Sequence, residues 1–436
     1  MTDPSGGSAD LSAARLGELW RTIEDLKRQI RERDELLAEY RKALETHLAP
    51  PRPYQIVTAK EKVDRSIAIL NTLYHVNGGY TSAMSGPYRA LWLRDTLYCA
   101  IAREYVGDFE SIKKTYGLAF DIFHKSGDKI SSCIDDPPTA KTDFLHARYN
   151  PHTLQEFPEE WGHNQLDIFG LFLYKVGDLR QKGIVVYRDY KDLKLAQDLV
   201  WYLFSLDWDK APDFGVWEEG PEVHASSVGA VLAGLRAARE HIAEIRVPGR
   251  FLAAGREALG RLLPRESESR PYDLAQLSLL WPYRVVSPEQ REQILSNIET
   301  HLVRERGVIR YPGDRYYNAD PSRPDGNEAA WPMGFSWLSI VYTKIAEEDL
   351  AAGRRSDVIA SFKKAHHYIK RTESAMVDGG AIPELYVGDK PNPNTPLTWA
   401  QAMYIVAVQS LENLKLSLDR VEMGSVAAEM EREGAG

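Results

Sequence analysis

Cysteine is nearly absent from this chain: Cys99 and Cys133 are the whole supply in 436 residues. Two thiols cannot staple a fold of that length, so stability must come from packing, and a reducing, cytoplasmic setting is expected. Long apolar runs are missing too, which argues against a membrane span. Residues 1–10 are small and polar rather than basic then apolar, so no signal peptide is expected. Positive charge is in deficit, with 54 Lys and Arg against 63 Asp and Glu and a formal net charge of −9. Nucleic acid and anionic membrane both call for a concentrated basic surface, so neither is an expected partner. The sequence also lacks a Gly-rich phosphate loop, the paired His and Cys spacing of a zinc site and a serine nucleophile elbow, and no cofactor or metal is expected. What is there is ordinary globular material, 43% hydrophobic and 27% charged, enough for one large core or two ordinary domains.

Between residues 16 and 47 apolar side chains recur at heptad spacing, with Leu16, Ile23, Ile30, Leu37 and Leu44 on one seam and Leu19, Leu26, Arg33, Tyr40 and His47 on the other. Charged residues fill the positions between, so such a helix is solvated outside one stripe and needs a partner strand. Two readings stand: a coiled-coil arm that makes a homo-oligomer, or a helix folded back on the body. Ala49-Pro50-Pro51-Arg52-Pro53 ends it, because proline removes a donor and restricts the residue before it. The expected organisation is a disordered start (1–10), a coiled-coil arm (11–48), a Pro-rich linker (49–54), a body (55–420) and an acidic, frayed tail (421–436).

In the body, periodicity and breakers predict about twelve helices, at 57–75, 91–105, 109–125, 164–178, 188–206, 226–241, 250–261, 273–281, 287–302, 332–348, 355–370 and 398–415, and no convincing strand. The connections alternate. Those after even-numbered helices are short, and those after odd-numbered ones run 76–90, 126–163, 207–225, 262–272, 303–331 and 371–397. If neighbouring helices are antiparallel, all the long loops emerge at one end, which points to a site assembled from several loops on one rim. Periodicity does not distinguish a closed ring of helical hairpins from an open solenoid.

Those loops and the helix starts after them carry the conspicuous polar and aromatic clusters. Trp92, Arg94 and Asp95 open the second helix; Asp95 is either a first-turn complement to the helix dipole or, with Arg94, a grip on sugar hydroxyls. Trp161, in Trp161-Gly162-His163-Asn164-Gln165-Leu166-Asp167, is either core or a platform for the C–H face of a pyranose. Trp217-Glu218-Glu219 offers a carboxyl beside an indole and a second carboxylate, surroundings that raise a carboxyl pKa toward that of a general acid if the site is buried; the alternative is a pair of dipole complements. Glu384 follows Pro383 in a Gly-rich loop and is a solvated turn residue unless it faces Glu218, when the two supply the acid and base of an inverting glycosidase. Arg310, Tyr311 and Asp314, in a segment running to Asn318, are either a salt-bridged surface loop or a further grip on substrate oxygens.

Taken in order, these clusters resemble the catalytic domain of glycoside hydrolase family 15, the glucoamylase family. Its W-x-R-D segment is matched by Trp92, Arg94 and Asp95, and its W-G-x-x-Q-x-D segment by Trp161, Gly162, Gln165 and Asp167. Its W-E-E segment is matched by Trp217, Glu218 and Glu219, its R-Y-P-x-D-x-Y-Y-N segment by residues 310–318, and its L-T-W helix start by Leu397, Thr398 and Trp399, downstream of Glu384. The resemblance implies an all-α (α/α)6 barrel over about residues 57–415. It further implies Glu218 as general acid and Glu384 as general base. Arg94, Asp95 and Arg310 would grip a terminal glucose, Trp161 would border it, and Glu219 would contact the next unit. The expected activity is release of β-glucose from the non-reducing end of small α-glucosides such as isomaltose, maltooligosaccharides or trehalose. The segment around His163 and Asn164 looks more like the glucoamylase-like part of phosphorylase kinase regulatory subunits, so a non-catalytic carbohydrate-binding scaffold or regulatory protein is the alternative. An epimerase or lyase on a similar toroid would instead need a His or Tyr pair on the pocket floor.

Overall fold

In a computed structural model, residues 61–318 and 328–420 are described, together with Lys27. The expected coiled coil, its linker and the acidic tail lie outside the described residues. The body alternates outer and inner helices. Outer α1 (Glu61–Thr72) leads to inner α2 (Leu93–Tyr105), and outer α3 (Phe109–Lys125), continued by short α4 (Gly127–Asp135), to inner α5 (Leu166–Gln181). Outer α6 (Tyr190–Ser205) leads to inner α7 (Ala225–His241), and outer α8 (Gly249–Leu262) to inner α9 (Leu277–Leu280), itself preceded by a 3-10 turn. Outer α10 (Pro288–His301) leads to inner α11 (Met333–Ala351), and outer α12 (Arg355–Ser374) to inner α13 (Thr398–Arg420). The helix α4 lies in what periodicity reads as the long loop 126–163.

The inner helices form a closed ring. Helix α2 packs on α5, α5 on α7, α7 on α9, α9 on α11, α11 on α13, and α13 returns to α2. Each outer helix backs an inner one: α1 on α13, α3 on α2, α6 on α5, α8 on α7, α10 on α9 and α12 on α11. This is an (α/α)6 barrel. Composition explains the layering. In α2 every residue from Leu93 to Glu104 is buried, whereas α10 buries only Ile294, Leu295, Asn297 and Ile298, the single stripe of an amphipathic surface helix. The closest approach is between α5 and α7, where a Cβ added to Gly170 would sit 2.4 Å from the backbone carbon of Ala230. No side chain fits between the two backbones there.

Helix termini set up the rim. Three outer helices begin on their own caps, with Asp108 accepting from Ser111 N on α3, Asp189 from Lys191 N and Asp192 N on α6, and a Ser287–Gln290 capping box on α10. Inner α2, α5, α7 and α11 have no such side-chain cap. Loop groups serve three of them instead: Leu93 N donates to Ala147 O, Leu166 N to Asp213 and Ser226 N to Glu266. The inner helices all run the same way, so their positive dipole ends converge on the rim that carries the long loops, a setting that favours carboxylates.

Two short antiparallel ladders stiffen those loops. Leu91 and Trp92 (β1) pair with Tyr149 and Arg148 (β2), and Tyr386 and Val387 (β3) with Pro391 and Lys390 (β4). Below the rim the ring is plugged by aromatic side chains, with Tyr98 stacked on Trp399 at 4.9 Å and Trp337 and Trp281 against Tyr98. Among the described residues no helix is long and apolar enough to cross a membrane.

Candidate active site

The plug closes the bottom of a cavity of about 640 Å³ that opens on the long-loop rim. Its lining includes Trp92, Arg94, Asp95, Trp161, Trp217, Glu218, Glu219, Arg310 and Glu384, contributed by five rim loops and the helix starts that follow them. Two expected site residues stand behind the wall. Asp314, fully buried, holds Arg310 through Nε and Nη2, both at 2.7 Å, and Tyr311 donates its hydroxyl to Glu219.

Glu218 and Glu384 come from the loops ahead of α7 and α13. These are the third and sixth helices of the inner ring, so the two loops face each other across its axis. Glu384 is completely buried among neutral donors. Tyr88 Oη (2.5 Å) and Tyr316 Oη (3.3 Å) donate to one oxygen, and Asn392 Nδ2 (2.5 Å) and Asn394 Nδ2 (2.8 Å) to the other. Backbone pairing builds that cage, since Glu384 N donates to Asn394 O and Asn392 N to Leu385 O across the β3–β4 hairpin. Burial, then the Glu384 charge and the neighbouring Tyr316, hold the Tyr88 phenol well above its ordinary pKa, so Tyr88 remains a donor.

Glu218 sits at φ +60°, in the left-handed region that a side chain rarely adopts, at the end of a turn closed by Glu218 N to Gly215 O. Its carboxylate accepts from Trp161 Nε1 and, at 3.4 Å, from Arg94 Nη1. Glu219, next in sequence, has different surroundings: Arg310 Nη2 and Arg270 Nη2 reach its two oxygens at 2.6 Å each, and Tyr311 adds a third donor. Two guanidinium groups satisfy Glu219, whereas Glu218 keeps one longer cationic contact and faces the cavity.

Arg94 is itself committed. It forms a fork with Asp167 at 2.7 and 2.9 Å, and Nη2 also donates to Gln165 at 2.6 Å, leaving Nη1 toward Glu218. Burial disfavours both the Arg94 and Arg310 charges, but the paired carboxylates outweigh it and raise both pKa values. Asp95 lies between the two catalytic candidates in electrostatic terms. Burial pushes its carboxyl up to about 7, Ser82 and Arg94 oppose that, and both Glu218 and Glu384 add to it. At the mouth Trp161 remains 38% exposed and lines the cavity, edge-on to Trp92 and under the Arg148 guanidinium at 4.5 Å.

Several residues here escaped sequence reasoning: Tyr88, Asn392 and Asn394 around Glu384, and Arg270 on Glu219; Tyr316 lay within the 310–318 segment without an assigned role. Asn392 and Asn394 stand in a Pro-Asn-Pro-Asn run shortly after Glu384, a hint visible in the chain; Arg270 has no comparable signal. Among the described residues no group of three or more His, Cys, Asp or Glu is arranged to hold a metal ion.

The model of the glycosyl hydrolases family 15 matches residues 58–408 of the chain. A probable phosphorylase b kinase regulatory subunit alpha of Caenorhabditis elegans is 27% identical over 385 residues, covering 72% of this chain and 30% of that protein. The liver isoform of the corresponding subunit of Mus musculus is 25% identical over 386 residues, with the same coverage of 72% and 30%. The match thus spans about 30% of the length of these curated relatives. Among solved structures, a wild-type glycosidase superposes with a TM-score of 0.65 at 18% identity, covering 81% of this chain and 96% of that one. Glucoamylase from Saccharomycopsis fibuligera superposes with a TM-score of 0.59 at 13% identity, covering 81% and 94%.

Proposed function

The chain belongs to glycosyl hydrolase family 15, and from that membership and the paired carboxylates we propose that it is an inverting, exo-acting α-glucosidase that releases β-glucose from small α-glucosides. The observation that carries this reading is that Glu218 and Glu384 line one cavity from loops on opposite sides of the inner ring. Inversion needs a proton donor on one face of the glycosidic carbon and, roughly 6.5 to 9.5 Å away, a carboxylate with room for a water on the other. Glu218 donates its proton to the departing oxygen. Glu384, gripped only by donors, takes a proton from the water that attacks the anomeric carbon. Arg94, Asp95 and Arg310 hold the terminal glucose, and Trp161 stacks on it at the mouth.

The substrate is a neutral sugar. Among the described residues the cavity lining carries only two cations, Arg94 and Arg310, and both are paired with buried carboxylates. A phosphate or uronate would find no uncommitted partner there, which favours water over phosphate as the attacking group. Isomaltose, maltooligosaccharides and trehalose are the candidate substrates, and the buried free thiols of Cys99 and Cys133 suit a cytoplasmic site of action. Residues 16–47 serve as a homo-oligomerising arm, for which the check is the elution volume of a chain lacking residues 1–54; no change relative to the full chain rejects it.

The matches to kinase regulatory subunits favour a second reading, a barrel that binds carbohydrate as a regulatory or scaffold module. One experiment separates the two. Purified protein is incubated with maltose, isomaltose, trehalose, nigerose and longer α-glucans, and released glucose is followed by proton NMR. Initial β-glucose supports the inverting hydrolase, initial α-glucose rejects the acid–water–base geometry, and no glucose together with saturable sugar binding supports the module.

A further inference from the structure

Beneath the loop that carries Glu218 lies a buried ion pair with no place in the mechanism so far. His224 and Asp213 are 2% and 0% exposed, and His224 Nδ1 lies 2.9 Å from Asp213 Oδ1. The other Asp213 oxygen accepts from Leu166 N, at the start of α5, and from Ser227 Oγ, in the first turn of α7. The backbone of Asp213 pairs in both directions with Glu222, closing the loop 213–222 at its base. The imidazole also lies against Gly215, where an added Cβ would come within 2.9 Å of Nδ1, and Gly215 O closes the turn that presents Glu218. One carboxylate and one imidazole thus join two inner helices to the two ends of this loop.

The residue type is unexpected for its position. His224 occupies the N-cap of α7, where a cation opposes the helix dipole and where Ser or Asn would cap better. The Asp213 and Glu222 carboxylates supply the negative charge that faces it, the buried Glu266 carboxyl lies nearby with its pKa raised by burial, and Arg270 opposes the imidazolium. We propose that His224 and Asp213 are positioning residues that hold the Glu218 turn in its strained, proton-donating geometry. This rests on Glu218 being the general acid.

The test uses the full chain and two substrates: the disaccharide that the wild type cleaves best, and α-glucosyl fluoride, whose leaving group needs no proton. In His224→Gln the side-chain donor moves one bond beyond the Nδ1 position; in His224→Asn it stays there. For His224→Gln we expect kcat on the disaccharide to fall about 100-fold with KM kept, and the fluoride rate to change by less than about threefold, since proton donation contributes on the order of 10²–10⁴ in rate. His224→Asn should restore most of the disaccharide rate. The fluoride rate doubles as the check that the pocket has folded. Equal losses on both substrates, or no loss on either, overturn the brace. A wild type that turns over neither substrate overturns instead the hydrolase reading on which it rests.

Discussion

Glu218 and Glu219 are neighbours in sequence with opposite fates. Both oxygens of Glu219 are taken by Arg310, Arg270 and Tyr311, so this carboxylate works as a strut that fixes two guanidinium groups. Substitution at Glu218 or Glu384 should therefore behave unlike substitution at Glu219. Glu218→Gln and Glu384→Gln are expected to lower kcat by about 10²–10⁴-fold with little change in substrate affinity. Glu219→Gln should mainly raise KM, through displacement of Arg310. Steady-state rates of the three variants decide this, and a wild-type rate in either of the first two rejects the acid–base assignment. Behind the wall, Asp314→Ala leaves the buried Arg310 without its bidentate partner. Loss of one member of a buried pair costs about 3–5 kcal/mol, to be read from urea unfolding midpoints.

At the scale of helices, the α5–α7 contact is the tightest in the ring and also carries the Glu218 loop. Gly170, Gly177 and Gly234 line it, and an added Cβ would meet backbone atoms at 2.4, 2.6 and 2.5 Å respectively. Gly170→Val should push the helices apart and destabilise by about 1–3 kcal/mol or more, the usual penalty of overpacking, and should lower activity as well. Gly260, in outer α8 with open space around its Cα, is the control: Gly260→Ala should be neutral or stabilise by up to about 1 kcal/mol. Thermal unfolding of the two variants is the measurement, and a Gly170→Val protein as stable as the parent would contradict the packing. Much of this layer was legible in the chain, because apolar periodicity is a local signal: all twelve expected helical runs correspond to helices here, and a loop-bearing rim follows from their alternating connections. Ring closure was not, because it rests on α13 meeting α2, a contact between distant segments. Helix α4 stayed hidden since only Ile130 and Cys133 of its nine residues are buried, too few for a period. The cage around Glu384 stayed hidden for a related reason: Tyr88 and Tyr316 come from other loops, and Asn392 and Asn394 of the same loop turn onto Glu384 only through the β3–β4 hairpin.

Across the whole molecule, the inner-ring layout gathers buried carboxyl groups at one rim, and that leaves a signature in stability against pH. Burial raises Asp95 to about 7 and Glu266 to about 8, both well above unfolded values near 4. For His224, burial alone would lower the pKa, but Asp213 outweighs it and raises the group from 6.5 to about 9. In each case the folded state holds a proton that the unfolded chain gives up earlier, so the contribution is complete below the unfolded pKa and is lost as pH rises through the folded one. Below pH 6.5 there is an opposing set. His146, lowered to about 3 mainly by burial and then by His163, stabilises above 6.5 and loses that contribution as pH falls toward 3, and His163 and His75 are shifted in the same direction. The two sets oppose each other on the acid side, but between about pH 6.5 and 9 only the first operates. Thermal unfolding should therefore show a melting temperature that declines steadily from pH 6.5 to pH 9. In His224→Asn, which keeps the hydrogen bond without a titrating ring, the decline should be shallower. A melting temperature that is flat or rising over that interval in the parent protein would mean that the rim carboxyls are not buried as protonated groups, and the chemistry assigned to Asp95 between the two glutamates would have to be rebuilt around an ionised side chain.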